Sequence, residues 1–205
     1  MCRALLYLGQ PVLLDNLLYQ PDSALIRQST MPRMSHMLNL ARKIRPGCVL
    51  GHVRGVAYST RVEISLQNGH PFHFAGAPLV LAHNGDLARF AEMKPLLLPH
   101  VKPEFLAQIH GTTDSEWIYA LLVSQFSGSL ENLEEKTTFN AIQNTLQIIR
   151  DARARLGIAL SSSVNLVSEP VHRQRRPARR AAVHAEQCLD VLHEVELLVR
   201  GGGPE

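Results

Sequence analysis

Runs of apolar residues with regular polar interruptions divide the first 167 positions into short strands and amphipathic helices, and the pattern then breaks off. Residues 4–8 are a compact apolar run ended by Gly9, which predicts a buried strand, and 11–18 form a second apolar run punctuated by Asp15 and Asn16. Met34, Met37, Leu38 and Ala41 follow helical spacing, and Pro46-Gly47 then predicts a turn. Residues 48–54 and 78–83 predict two strands that end in polar residues. Short helices are expected over 86–93 and 104–109, with a proline-punctuated loop between them. Thr113 and Glu116 make a capping-box pair that starts a helix through Trp117, Leu121 and Leu122 to about Phe126. Ile142, Leu146, Ile149 and Ala152 predict a longer amphipathic helix over 139–156, and 158–167 returns to strand character.

Composition adds a boundary. The chain has 205 residues, of which 45% are hydrophobic, enough for one sizeable core. Its net charge of +3 traces to the arginines between Arg173 and Arg180, so 1–167 reads as the domain and 168–205 as a divergent Arg-rich tail. That run has no interleaved aromatics and reads as a solvated tail rather than a nucleic-acid surface. No apolar stretch suits a membrane span or a secretion signal, and three scattered cysteines form neither a disulfide framework nor a zinc motif, so a cytoplasmic protein is expected. His70, His73 and His83 lack a recognised ligand spacing, so no metal or other cofactor is expected.

Several short polar groups carry candidate chemistry. Cys2 follows a removable initiator Met1, and its release would place a thiol and a free α-amine, titrating near ~7.7–8.0, in one residue. Taken alone, it is also an ordinary small cysteine. Arg54 closes a predicted strand with a planar fork that suits a carboxylate, or serves a surface ion pair. Asn68-Gly69-His70-Pro71-Phe72 is a turn entering a strand. Asn84 and Gly85 offer a side-chain amide and a backbone N–H to a developing oxyanion, or form a plain Asn-Gly turn. Asp114 puts a carboxylate in the first turn of a helix, a position its charge favours in any case.

In order, these pieces resemble the class II glutamine amidotransferases, closest to the small stand-alone members beginning Met-Cys-Arg. The resemblance rests on Met1-Cys2-Arg3 through Leu8-Gly9, Gln28-Ser29, His52-Val53-Arg54, His70-Pro71-Phe72, His83-Asn84-Gly85, Gly111 to Glu116, and Ser162 to Leu166. It implies an α+β fold, the four-layer αββα sandwich of N-terminal-nucleophile hydrolases. It also implies cleavage of the side-chain amide of glutamine or a related γ-glutamyl compound. Cys2 would attack the amide, Asn84 and Gly85 would hold the oxyanion, Arg54 would grip the α-carboxylate and Asp114 the α-ammonium. His70 lies in a family motif near the substrate.

Two departures stand beside that resemblance. Between Gln28-Ser29 and His52 the family's Gly-rich strand segment is missing, and after Asn165-Leu166 the chain turns Arg-rich where members continue with strands. The domain is therefore expected to be incomplete. Two functional readings follow: an amidohydrolase working through a Cys2 thioester, its ammonia passing to water or a partner protein, and a catalytically impaired member serving as a binding or regulatory subunit.

Overall fold

The computed structural model describes residues 3–25, 35–53, 66–127 and 133–170. They fall into two compact units, one drawn from 3–53 and the other from 66–170. The candidate residues Cys2 and Arg54, the Gln28-Ser29 pair and the arginines of the tail lie outside the described residues.

In the first unit, β1 (Arg3–Leu8) pairs antiparallel with β2 (Cys48–Val53), from Arg3 opposite Val53 to Leu8 opposite Cys48. Both strands are the ones their apolar runs predict. The Gly9 N–H donates to the Gly47 carbonyl at 2.9 Å and extends the pairing by one step. The run after Pro11 folds as a short helix, α1 (Leu14–Leu18), and α2 (Ser35–Ala41) follows the predicted helical spacing. Gln20 Nε2 donates to the buried Asp15 carboxylate at 2.9 Å, tying the residues just past α1 back to its first turn.

The second unit is built round a helix buried on nearly every side. In α5 (Asp114–Ser124), residues Ile118 to Val123 are all inaccessible to solvent, as expected of a helix apolar all round. It packs against β3 (Leu79–Asp86), which pairs antiparallel with β4 (Ser163–Pro170), and against α6 (Glu135–Arg155). Each fully buried Leu, Ile or Met side chain in this core contributes about 1.5–3 kcal/mol. Tyr119 ties α5 to β3: its hydroxyl donates to the Leu79 carbonyl at 2.6 Å and accepts from the Phe74 N–H at 3.2 Å. Burial pushes this phenol up to about 12, against the opposing pull of the Phe74 N–H.

Three predicted boundaries move. β3 runs on to Asp86, so the helix expected at 86–93 is α3 (Phe90–Leu97), which carries Pro95 inside it where a loop was expected. The proline removes only one helical hydrogen bond in so short a helix. The next helix is shorter and earlier than expected, α4 (Pro103–Leu106), with its proline at the first position. β4 starts at Ser163 and not at 158, because the Arg153 guanidinium takes the carbonyls of Ile158 (3.4 Å) and Leu160 (2.5 Å) and the Ser162 hydroxyl. Those groups are thereby withdrawn from strand pairing.

Candidate functional site

Polarity reverses along β3. Leu79, Leu81 and Ala82 are buried, His83 is still only 1% exposed, and Asn84, Gly85 and Asp86 emerge into solvent. In the antiparallel register Asn84 faces Asn165 and Gly85 faces Val164. Asn165 Nδ2 donates to the Asn84 carbonyl at 2.8 Å, which fixes the Asn84 backbone.

Gly85 is required by close approach. A Cβ built there would lie 1.8 Å from the Ser163 carbonyl oxygen and 2.9 Å from His83 Nε2. The imidazole of His83 and the β4 backbone therefore pack directly against the Gly85 α-carbon. This follows from the residue type as much as from the fold, since only glycine lets the two strands close that tightly.

The N-terminus of α5 meets the same end of β3. Thr113 caps the helix, its Oγ1 accepting the Glu116 N–H at 3.3 Å, as the sequence pair predicts. Glu116 departs from the capping-box pattern. Instead of returning to Thr113, its buried carboxylate accepts the N–H groups of His110 (2.9 Å) and Gly111 (2.7 Å) and so shapes the turn before the helix. Asn68 clamps that turn from the other side, accepting the Thr112 N–H at 2.9 Å and donating to Thr112 Oγ1 at 3.2 Å.

Asp114 is held on three sides. Its Oδ2 accepts the Leu87 N–H at 2.7 Å, just beyond β3, and its Oδ1 accepts the Ser115 N–H at 2.8 Å and the Ser115 hydroxyl at 3.3 Å. The Ser115 oxygen lies 2.8 Å from His83 Nδ1. The Ser115 hydroxyl can donate to either neighbour, and the imidazole tautomer sets the direction of the His83 contact. The other ring nitrogen, Nε2, is buried.

Burial depresses the His83 pKa; the Asp114 carboxylate, the Ser163 carbonyl and Asp86 oppose that shift without reversing it. The folded ring therefore holds a proton less readily than an unfolded histidine, which titrates near ~6.5. The unfolded chain thus binds the extra proton, and stability should be complete above about pH 6.5 and fall as pH drops toward the lower folded value. The limiting slope is about 1.4 kcal/mol per pH unit. Urea unfolding of wild type and His83→Asn between pH 5 and 7 should show a smaller pH slope in the variant; equal slopes would remove His83 as the cause.

His70 stands apart from these hydrogen bonds. Its ring meets Phe72 edge-on at 4.6 Å, and Phe72 bridges to Leu81, two residues before His83. The second unit therefore gathers Asn84, Gly85 and Asp114 at one place, with His70 on the adjoining loop. Sequence reasoning quoted Ser115 and His83 in motifs but gave them no role. The polar residue beside Asp114 and the polar residue inside an apolar strand were the available signals.

An exposed Asn-Gly strand end thus lies near a carboxylate at a helix N-terminus in an α+β protein. The chain belongs to the class II glutamine amidotransferases, whose family model matches residues 19–183. It is 29% identical over 165 residues to the probable glutamine amidotransferase DUG3 of Saccharomyces cerevisiae, a match covering 60% of this chain and 45% of that protein. It is 30% identical over 109 residues to a glutamine–fructose-6-phosphate aminotransferase (isomerizing) of Methanococcus maripaludis, covering 52% of this chain and 16% of the relative. The chain thus spans less than half the length of either. Among solved structures, a glutamine aminotransferase class-II domain protein from Silicibacter pomeroyi shares the fold with a TM-score of 0.54 at 20% identity, over 82% of this chain and 72% of that one. Among the described residues no helix is long and apolar enough to cross a membrane.

Proposed function

We propose that this chain hydrolyses the side-chain amide of glutamine or a related γ-glutamyl compound through a thioester on Cys2. The observation that carries the reading is the convergence of Asp114 on the Asn84-Gly85 end of β3, in a chain belonging to the class II glutamine amidotransferases. A glutamine-like substrate presents an ammonium, a carboxylate and an amide. Asp114 pairs with the ammonium, Arg54 with the carboxylate, and the Asn84 amide and Gly85 N–H receive the oxyanion.

The Cys2 thiolate adds to the amide carbon, with the N-terminal α-amine as the proton acceptor. The protonated amine then delivers that proton to the departing nitrogen, so ammonia leaves as the carbonyl reforms. Water adds to the thioester, and the thiol and the γ-carboxylate are released. Ammonia passes to water or to a separate acceptor protein. The domain is read as an incomplete four-layer sandwich of the N-terminal-nucleophile hydrolases; β4 carries it past residue 167 to Pro170, and the divergent Arg-rich tail follows.

Purified protein is to be assayed for ammonia release from glutamine and then treated with an electrophilic glutamine analogue. Turnover, with the analogue's mass on an N-terminal peptide that has lost Met1, is the expected result. Retained Met1 with no turnover and no adduct would overturn this reading in favour of a binding subunit. Asp114→Asn removes the charge and leaves one acceptor oxygen where Asp114 uses two, so it should raise KM for glutamine roughly 10- to 100-fold and also lower the melting temperature, by the loss of one part-buried acceptor (about 1–3 kcal/mol). An unchanged KM would remove Asp114 from the ammonium site.

A further inference from the structure

We infer that Ser115 and His83 form a positioning relay that couples recognition of the substrate α-ammonium at Asp114 to the geometry of the oxyanion donor at Gly85; this rests on the functional reading above. The geometry is a continuous buried path. Asp114 Oδ1 accepts from Ser115 Oγ at 3.3 Å, and Ser115 Oγ and His83 Nδ1 share a hydrogen bond at 2.8 Å. The far edge of that ring, Nε2, packs where a Gly85 Cβ would come within 2.9 Å. Ser115 and His83 are 5% and 1% exposed, so water does not compete for either contact.

The three side chains are those of a serine hydrolase, but the order excludes that chemistry. There the imidazole lies between hydroxyl and carboxylate and the serine faces the substrate. Here the hydroxyl lies in the middle, committed on both sides and buried. It can transmit a displacement and cannot attack.

Asp114 itself is anchored on the Leu87 N–H at 2.7 Å, so the carboxylate belongs at once to the ammonium site and to the chain leaving β3. An ammonium drawn against Asp114 shares the carboxylate with the Ser115 hydroxyl, weakens its hold on that hydroxyl and turns it toward His83 Nδ1. The ring then settles against the Gly85 α-carbon, and the Gly85 N–H is held where charge develops. The substrate's own charge in this way sets the oxyanion donor, and an amide lacking the ammonium leaves it loose.

The test compares glutamine with 4-carbamoylbutanoate, which is glutamine without its amino group, as substrates of the full-length wild type and of Ser115→Ala and Ser115→Thr. For glutamine, Ser115→Ala should lower kcat about tenfold, whereas kcat for 4-carbamoylbutanoate should stay within about twofold of wild type. Ser115→Thr, which keeps the hydroxyl, should restore the glutamine value. Equal losses on both amides, or no rescue by threonine, would overturn the relay while leaving the hydrolase reading intact. Failure of wild type to turn over either amide would overturn the functional reading and the relay with it.

Discussion

Replacing Cys2 by Ala should reduce ammonia release from glutamine by at least a thousandfold, on the order of the losses seen when a covalent nucleophile is removed. The reason lies in the chemistry of one residue. With Met1 gone, Cys2 carries a nucleophile whose thiolate is accessible near neutrality and an amine whose unprotonated form, near pH ~7.7–8.0, can accept its proton. Alanine keeps the amine and loses the only atom that can form the thioester. Serine keeps a hydroxyl of much higher pKa and should recover little. The measurement is ammonia release by each variant, alongside its melting temperature and the mass of its N-terminal peptide. Activity that survives Cys2→Ala would sink the thioester mechanism.

Gly85→Ala should destabilise the second unit by about 3 kcal/mol or more and remove amide hydrolysis. Its new methyl would lie 1.8 Å from the Ser163 carbonyl oxygen and 2.6 Å from the Ser163 carbonyl carbon. Both are backbone atoms of a paired strand, so no rotamer change relieves the contact; β4 must move away from β3. That movement shifts the neighbours of Asn84 as well, since Asn165 on β4 holds its carbonyl. Gly157→Ala is the control. Its φ of 59° is left-handed, but a methyl there meets nothing within 4 Å, so it should cost only about 1–2 kcal/mol. Gly85→Ala melting like wild type would contradict the close approach of the strands.

Local signals were legible where one residue decides the structure. Thr113 caps α5, as its spacing to Glu116 predicts, because a cap needs only an oxygen and an N–H three residues on. The apolar runs before Gly9, after Gly47 and before Asn84 became β1, β2 and β3 because an unbroken apolar stretch of that length has few other places to go. Asn84, Gly85 and Asp114 were singled out as polar residues at element ends, where a fold exposes side chains it cannot bury.

The misread parts are those governed by distant atoms. The start of β4 depends on Arg153, which withdraws the carbonyls of Ile158 and Leu160 from pairing. Glu116 has the spacing of a capping-box residue, and its carboxylate instead closes the turn at His110 and Gly111. Each outcome is a competition between a local partner and one brought near by folding, and the sequence shows only the first competitor.

By itself, then, the sequence determined the kinds of element, the ordered motifs of the class II glutamine amidotransferases, and which polar residues stand at the ends of β3 and α5. Those are consequences of period, capping and residue chemistry, all expressed within a few residues. Only the tertiary structure decided that Asp114 reaches the Leu87 N–H 27 residues away, that Ser115 meets a histidine 32 residues away, and that Ser163 fills the space a side chain at Gly85 would need. Such contacts arise because burying α5 against β3 forces their polar ends to find partners in one another.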